Sequence, residues 1–466
     1  MKIFTHRFPI LLLISCISTS CALGATYEIG PGKPLRTLNE VPWESLQPGD
    51  HVLIHWRPEP YREKWVISRQ GTPHERIRIE GVPGPGGRLP VIDGENAVTV
   101  KKPPYWGEAR SVVKIGGSMD SNNRPPAWIT ISNLEIRGGM PPYAFTGQKG
   151  PGQYSGPTAG FWIENGDHIT LQGCTIHDCA NGLFSSSKSS NILVQNCHIY
   201  DNGLLHSIGV HNIYTESNRI IFEYNRLGPL REGCSGNNLK DRSAGLVVRY
   251  NWIEGGNRQL DLVDADDSPA LRAEPAYRKT FVYGNILIEP ANDGNNQMVH
   301  YGGDMGKPDT YRKGTLYFYN NTVISRRTDR TTLFRLATND EHVDCRNNIL
   351  YVTSAPTTLV MLDSAGQIEL TSNWIKPGWG NSSGRLTGSV KATGTINGTE
   401  PGFVNETAND FHLTDKSPCR KAGTPLPAEI PDDYRLLNEY VQPQSGKPRS
   451  DAGTENGPQD LGAFAK

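Results

Sequence analysis

The sequence predicts an all-β solenoid, in which short strands form coils that stack along one axis. A short apolar–polar alternation ending in Asn or Gly recurs at spacings of 40, 23, 29, 26, 34, 36, 27 and 25 residues. A basal unit in the mid-twenties, lengthened irregularly, is typical of stacked coils with loops on one side. The repeated positions are Asn133, Gly173, Asn196, Asn225, Asn251, Asn285, Asn321, Asn348 and Asn373.

A second column of apolar residues lies upstream at a constant offset. Twelve residues separate each member from its Asn or Gly. Strand, turn and strand at a constant offset predict coils that pair in parallel, about 4.8 Å apart. The members are Phe161, Phe184, Ile213, Leu239, Leu336 and Met361.

The composition supports a turn-rich β-protein and argues against other classes. The 466 residues include 50 glycines and 34 prolines, a content that works against a helical bundle. Lys and Arg total 47 against 48 Asp and Glu, a formal net charge of −1. We therefore expect no nucleic-acid partner, because such binding relies on a basic surface.

Residues 1–24 have the features of a secretory signal peptide. Two basic residues precede the apolar run Ile10–Ile14, and small residues precede Ala25, the expected cleavage point. We expect a secreted or periplasmic protein, and a lipoprotein anchor at Cys16 is the less favoured alternative. No other apolar stretch approaches membrane-spanning length, so we expect no membrane span. We expect the mature protein to be a monomer.

Cleavage would leave six cysteines, an even number that permits disulfides in an exported chain. Cys174 and Cys197 occupy equivalent positions on consecutive coils, at a separation that a disulfide tolerates. A pair of buried thiols in an interior column is the favoured alternative.

Several segments resemble the right-handed parallel β-helix proteins with a pectin-lyase-like fold. Residues 27–32 (YEIGPG), 46–50 (LQPGD) and 91–94 (VIDG) look like the start of many secreted members, and 460–464 (DLGAF) look like their last coil. The resemblance implies a right-handed parallel β-helix with an N-terminal cap and long loops on one side. It implies less about function, because the superfamily includes lyases, hydrolases, epimerases and non-catalytic proteins.

The resemblance and the repeat together suggest an organisation along the chain. After the signal peptide we expect an N-terminal cap and first coils over residues 25–105. The β-helix body would follow over 106–415, and a last coil and tail over 416–466.

Strand alternation predicts which side chains face outward. If Ile213 points inward, Tyr214 and Glu216 point outward, and by the same rule Lys240 and Arg242 follow Leu239. With less certain registers, Asp261 and His300 extend this stripe onto the next coils. One sheet face would then carry Tyr, Glu, Lys, Arg, Asp and His.

Such a face suits cleavage of an acidic, uronate-containing polysaccharide by β-elimination. Removal of the proton beside a carboxylate requires that carboxylate to be neutralised, which an Arg fork or a cation can do. We expect Arg242 to neutralise it and Lys240, its pKa lowered by Arg242, to act as the base. Tyr214 or His300 would protonate the leaving oxygen. The resemblance agrees, because lyases of this superfamily often use Lys or Arg on the helix face.

Substrate-binding residues are expected on both sides of the stripe. Asn212, Asn238 and Arg335 would flank it, and Glu216 would contribute from within. The Gly/Pro-rich insertion 138–159 carries Tyr143 and Tyr154, which form either an aromatic wall for sugar rings or part of an ordinary surface loop.

Calcium is the one cofactor that the sequence suggests. Asp261 and Asp264 lie in an acidic stretch, and hard cations bind clustered carboxylates. The stretch lacks the spacing of a calcium loop, so a plain acidic turn is the alternative.

Other functions remain open at this point. A glycoside hydrolase would use Glu216, Asp261 and Asp264 as its carboxyl groups. A uronate epimerase would share the proton abstraction, and a non-catalytic carbohydrate-binding protein would need no such groups. The stripe could also be a solvated ladder of ion pairs, which stabilises a fold by only about 0–1 kcal/mol per pair.

Overall fold

The structure, a computed structural model, describes residues 1, 24–116, 125–354, 358–452 and 458–466. The expected signal peptide, apart from Met1 and Gly24, and the alternative anchor at Cys16 lie outside these residues. Within the described part of the chain, no helix is long and apolar enough to cross a membrane. Three long sheets contain most of the strands.

In the described residues, sheet 1 has 13 strands, all paired in parallel with their neighbours. Its strands are Thr26–Ile29, His51–His55, Ile77–Val82, Ala127–Ser132, Asp167–Gln172, Ser189–Gln195, Ser217–Glu223, Ala244–Arg249, Lys279–Tyr283, Thr315–Tyr319, His342–Arg346, Gln367–Thr371 and Ser389–Thr393.

Sheet 2, within the same part of the chain that the structure describes, has 14 strands and is parallel except for one terminal hairpin. The hairpin is formed by Gly150–Gln153 and Ala144–Gly147. The remaining strands, in spatial order, are Ala97–Thr99, Glu63–Ile67, Ser111–Ile115, Ala159–Ile163, Asn181–Ser185, Ile213–Thr215, Leu239–Asp241, Leu260–Leu262, Gln297–Tyr301, Arg330–Leu336, Thr358–Leu362 and Gly380–Ser382.

Sheet 3 has 11 shorter strands among the described residues. They are Val91–Asp93, Glu135–Arg137, Thr175–Ile176, His198–Ile199, Arg226–Leu227, Trp252–Glu254, Ile286–Glu289, Thr322–Ser325, Ile349–Val352, Trp374–Ile375 and Ile396–Asn397.

Each coil of the body passes from sheet 2 to sheet 1 and then to sheet 3 before it returns to sheet 2 one rung further on. The predicted parallel β-helix is therefore confirmed. Two long loops, 263–278 and 302–314, leave sheet 2 on consecutive coils. Because both leave from the same side, they come to lie over the outer face of sheet 2, where they form part of the site described below.

Helices are few and short in the described residues. The α-helix Pro269–Ala273 lies in the first of the two long loops. The 3-10 helices are Leu38–Glu40, Pro85–Gly87, Glu108–Arg110, Pro275–Arg278, Pro308–Thr310 and Asp432–Tyr434.

The N-terminal end of the coil stack is covered by another part of the chain, whereas the segment after the last coil packs against residues of sheets 1 and 3 such as Tyr283 and Ile288. Leu38, Trp43 and Leu46 are fully buried at the N-terminal end, where the Trp43 ring stacks on Trp65 at 5.4 Å between centroids. After the last coil, Phe403–Asn405 pairs with Asp410–Leu413, and Asn438–Val441 pairs with Ser445–Pro448. The expected domain boundaries at residues 105 and 415 stay predictions.

Asparagine side chains form a continuous ladder inside the coil stack. In each step an amide nitrogen donates to the amide oxygen on the next coil, at 2.9, 3.0, 3.0, 3.1 and 2.9 Å. The same oxygens accept backbone N–H groups. Buried amides joined in this way fix the stacking of the turns, because an unpaired one costs about 1–3 kcal/mol. The ladder residues are Asn225, Asn251, Asn285, Asn321, Asn348 and Asn373.

The first three members of the predicted Asn/Gly column belong to a different position. Asn133, Gly173 and Asn196 have left-handed φ of 57°, 63° and 54°, as turn residues do. The residue after each of them shares the ladder column, and the backbone N–H of Cys197 donates to Asn225 Oδ1 at 2.9 Å. The sequence alignment of these coils was thus one residue off.

The upstream apolar column also needs correction. Phe161, Ile213 and Leu239 do share an inward position, but Leu183 rather than Phe184 lies between the first two. Phe184 faces outward. Leu336 and Met361 are buried at other positions of their strands, because Phe334 and Leu362 are the register partners in those coils.

All six cysteines in the described residues are free thiols. Cys174 and Cys197 are fully buried on consecutive coils, as the interior-thiol alternative predicts.

Candidate active site

One outward position of sheet 2 carries the predicted stripe. Tyr214, Lys240, Asp261, His300 and Arg335 are consecutive Cα partners along the stack. The register inferred for the first four is confirmed. The stripe is less accessible than we expected, because the loops that leave sheet 2 fold back over it.

Lys240 lies between two carboxylates. Its Nζ donates to Asp261 Oδ2 at 2.8 Å and to Asp304 Oδ2 at 2.6 Å, and the residue is 7% exposed. Burial acts to lower the pKa of Lys240, but the charges of Asp261 and Asp304 outweigh it and the pKa is raised. The expected depressed pKa is therefore wrong, and so is the expectation that this side chain is exposed.

Arg242 is equally enclosed, at 5% exposed. Its Nε donates to the Tyr214 hydroxyl oxygen at 3.0 Å, and one terminal nitrogen donates to Asp304 Oδ1 at 3.2 Å. The other terminal nitrogen donates to the Asp264 carbonyl and lies 3.4 Å from Asp266 Oδ1. The guanidinium is thus occupied by the protein itself, while the Tyr214 ring is half-buried and remains partly accessible.

Asp261 is the centre of the buried part of the stripe. Its Oδ1 accepts from His300 Nδ1 at 2.8 Å, and its Oδ2 accepts from Asn237 Nδ2 at 2.8 Å in addition to Lys240. Arg258 lies 3.7 Å away. Burial acts to raise the pKa of Asp261, but the His300 hydrogen bond and the Lys240 charge hold it well below its usual range.

Asp264 anchors the second long loop. Its Oδ1 accepts from the Asp304 backbone N–H at 3.0 Å, and its Oδ2 accepts from the Thr310 hydroxyl at 2.7 Å. All four carboxylate oxygens of Asp261 and Asp264 therefore accept protein donors. In the described residues no group of three or more His, Cys, Asp and Glu is placed to hold a metal. This donor set does not fit the calcium site suggested by the sequence.

Two histidines are buried here, His300 within the stripe and His211 beside it, and the pKa of each is lowered. Burial lowers the pKa of His300 against the opposing influence of Asp261, and its Nε2 has no partner among the described residues. His211 Nδ1 accepts the Asn237 N–H at 2.9 Å, and burial, then the charge of Lys240, lower its pKa to about 3. Because His300 is 1% exposed, other side chains lie between it and a substrate bound on the outer face of sheet 2.

Glu216 is a carboxyl group that keeps its proton at neutral pH. Burial, and then the neighbouring Asp267, raise its pKa to about 8. Its Oε1 is buried without a hydrogen-bond partner in the described part of the chain. Asp304 behaves in the opposite way: burial acts to raise its pKa, but Lys240 and Arg242 lower it.

Two predicted substrate-binding residues are structural instead. Asn212 and Asn238 are fully buried where the chain turns from sheet 3 into sheet 2. Asn212 Nδ2 donates to the Gly228 carbonyl at 2.8 Å, and Asn238 Nδ2 donates to the Glu254 carbonyl at 2.9 Å. Their amides satisfy turn carbonyls, so their assignment to substrate binding is wrong.

The predicted aromatic wall is also mostly internal. Tyr154 is 3% exposed, its hydroxyl donates to the Gly94 carbonyl at 2.9 Å, and its ring lies 4.3 Å from Lys64 Nζ. The insertion folds back because its hairpin adds to the end of sheet 2. Tyr143 is half-buried and Arg335 is exposed. Their roles in substrate binding stay predictions.

Sequence analysis missed the most central residue of the site. Asp304 contacts both Lys240 and Arg242, yet it lies in a loop whose path no periodicity predicts. The Gly302-Gly303 pair before it marks a turn but not where that turn leads. Asn237, whose side chain donates to Asp261 Oδ2, was also missed.

Comparisons with known proteins agree on the fold. A family model described as a right-handed β-helix region matches residues 120–272. A structure of a rhamnogalacturonan lyase aligns with a TM-score of 0.50 and 14% identity, covering 89% of this chain and 98% of that one. The GH136 lacto-N-biosidase from Eubacterium ramulus aligns with a TM-score of 0.50 and 14% identity, covering 80% and 67%. A comparison with curated proteins gives no match.

At these identities the similarity concerns the fold alone. The predicted right-handed parallel β-helix with a pectin-lyase-like fold is confirmed. The two aligned structures are named for different reactions, a lyase and a glycosidase, so the function of this chain has to be argued from its own residues.

Proposed function

We propose that this protein is a carbohydrate-active enzyme that cleaves an acidic polysaccharide by β-elimination on the outer face of sheet 2. The observation that carries the proposal is the contact between Arg242 Nε and the Tyr214 hydroxyl, with Lys240 on the next coil. The Tyr214 side chain is partly accessible, and the positively charged side chains of Lys240 and Arg242 lie beside it.

The reaction assigned to Tyr214 is proton transfer. In its phenolate form, Tyr214 takes the proton beside the uronate carboxylate and becomes a neutral hydroxyl. The electron pair left on carbon forms a carbon–carbon double bond, and the bond to the glycosidic oxygen breaks. That oxygen receives the proton from the Tyr214 hydroxyl, which returns to the phenolate. The negative charge of the phenolate faces the Arg242 N–H, a preorganised donor.

Lys240 has a different role from the one expected from the sequence. Its raised pKa keeps it protonated, so it supplies positive charge beside Tyr214 instead of accepting a proton. No step of the proposed reaction uses calcium. We further propose that the protein is exported, on the basis of residues 1–24. N-terminal sequencing of the protein recovered outside the cytoplasm would test this and should begin at Ala25.

Glycoside hydrolysis is the second candidate, and one observation favours it. Glu216 is protonated while Asp304 is ionised, and both lie near Arg242. Carboxyl groups whose pKa values are pushed apart can serve as acid and base in hydrolysis. The buried position of Glu216, 8% exposed, argues for the lyase as the first candidate.

Product chemistry distinguishes the two reactions. The purified protein would be incubated with alginate, polygalacturonate, rhamnogalacturonan, hyaluronate and chondroitin sulfate. Elimination produces ultraviolet absorbance from unsaturated sugar ends together with new reducing ends. New reducing ends without that absorbance would favour hydrolysis, and neither signal on any polymer would argue against both.

A further inference from the structure

Aromatic rings continue the outward position of sheet 2 on the N-terminal side of Tyr214. Phe184 is the Cα partner of Tyr214, and Trp162 is the partner of Phe184. Ring centroids are 5.3 Å apart for the first pair and 4.6 Å for the second. Three rings therefore lie on three consecutive coils, in line with the candidate active site.

The spacing of these rings suits a linear sugar chain. Neighbouring coils are about 4.8 Å apart, close to the length of one sugar residue in an extended polysaccharide. Aromatic side chains offer an apolar face of the kind that packs against the C–H face of a sugar ring. Phe184 is half-buried and adjacent to Tyr214, so it can contact the sugar next to the reacting one.

Arg110 lies at the far end of this row. Its guanidinium carbon is 3.9 Å from the centroid of the Trp162 ring. Glu164, whose charge acts on Arg110, is paired with Lys114 Nζ at 3.1 Å, and Arg110 itself is exposed. Lys240 and Arg242, by contrast, are saturated by aspartates. Arg110 is thus a cation that a substrate carboxylate can reach.

Trp162 also has an unused donor. The residue is 5% exposed, and its indole Nε1 is buried without an acceptor in the described part of the chain. A buried donor of this kind is unfavourable by about 1–3 kcal/mol. If Arg110 moves onto a ligand, a sugar oxygen can take the vacated place and accept from Nε1.

From these observations we propose that Phe184, Trp162 and Arg110 form two consecutive sugar subsites on one side of Tyr214, and that the outer one binds an anionic sugar through Arg110. The substrate is then a linear chain, bound along the axis of the β-helix, with a carboxylate two residues from the reacting sugar. This inference rests on the proposed function for the position of the reacting sugar only, because binding at the two subsites is independent of turnover.

The test measures binding without catalysis. Titration calorimetry would use the Tyr214→Phe variant as the background, with acidic hexasaccharides prepared from the five polymers named above and uncharged maltohexaose for comparison. Arg110→Gln should weaken binding of an acidic hexasaccharide about tenfold and leave uncharged binding unchanged. Phe184→Ala should weaken binding whether or not the sugar is charged.

A matched control is present elsewhere in the chain. Arg88 is another exposed arginine beside a tryptophan, 4.3 Å from the Trp56 ring, so Arg88→Gln should change nothing. Unchanged affinities in Arg110→Gln and Phe184→Ala, or a background protein that binds none of the acidic hexasaccharides, would overturn the inference. An enzyme that cleaves a polymer while both variants keep the parental KM overturns the subsites and leaves the proposed function intact. If the protein shows the predicted binding pattern but cleaves none of the polymers, the subsites stand and the proposed function is overturned.

Discussion

At the level of single residues, Lys240 makes buried ionic contacts, which differ in energy from ion pairs at the exposed surface. Lys240 neutralises Asp261 and Asp304 where water is largely excluded. Removing one partner of a buried pair leaves an uncompensated charge, which is far more costly than losing a surface contact. The strand alternation predicted the direction of this side chain but not its environment, because the enclosing Asp304 comes from a distant loop.

We predict that Lys240→Met lowers the free energy of unfolding by about 3 kcal/mol. The matched control is Lys391→Met, because Lys391 is 74% exposed and lies 3.8 Å from Glu369. The control should change stability by less than about 0.5 kcal/mol. Urea unfolding of both variants is the measurement. Equal stabilities would mean that the loops do not enclose Lys240 in solution.

Glu216 should make stability depend on pH. Its pKa rises from 4.5 to about 8 on folding, so between these values the folded state holds a proton that the unfolded chain has lost. Stability therefore falls as pH rises through this window. We predict that the melting temperature declines less between about pH 5 and 8 in Glu216→Gln than in the parent. This pH range covers about the interval between the unfolded and folded pKa of Glu216. An identical decline in parent and variant would show that Glu216 ionises normally in the folded protein.

At the level of elements, the interior ladder explains why the fold was predictable. Six of the nine repeated positions are the ladder asparagines, and five side-chain bonds join each of them to the next one along the stack. The other three are left-handed turn residues, for which Asn and Gly are favoured for a different reason. One residue type thus serves two adjacent positions, and the sequence alone could not tell them apart.

We predict that Asn285→Ala is among the most destabilising single changes in the body. Asn285 Oδ1 accepts the backbone N–H and side-chain amide of Asn251, and its Nδ2 donates to Val248 and Asn321. Loss of these contacts should lower the free energy of unfolding by about 3 kcal/mol or more. The exposed Asn397→Ala in sheet 3 is the control for chemical denaturation. A loss no greater than that of the control would contradict the ladder's role.

The packing of the two long loops over sheet 2 could not be predicted from the sequence. Their lengths were visible as irregular spacings, but the burial of Arg242 and Asp264 depends on how residues 263–278 and 302–314 pack across the sheet. Hydrophobic periodicity describes strands and contains no information on such packing. The identity of the stripe was therefore predictable, whereas its accessibility and the pKa of Lys240 were not.

At the scale of the whole molecule, we predict an enzyme that needs no added calcium. The oxygens of Asp261 and Asp264 are occupied by protein donors, so removal of divalent ions should leave both turnover and melting temperature unchanged. Dialysis against excess chelator, followed by assay with and without added calcium, measures this. Activity that disappears with the chelator and returns with calcium would mean that these aspartates rearrange around a cation.

The most direct test of the central claim compares the parent with Tyr214→Phe on the polymer that the parent cleaves best. Tyr351→Phe, a half-buried tyrosine of sheet 3, is the control. The parent and the control should release unsaturated sugar ends at equal rates, and Tyr214→Phe should be slower by about 10²–10⁴. Undiminished release of unsaturated ends by Tyr214→Phe would contradict the assignment of proton transfer to the outer face of sheet 2.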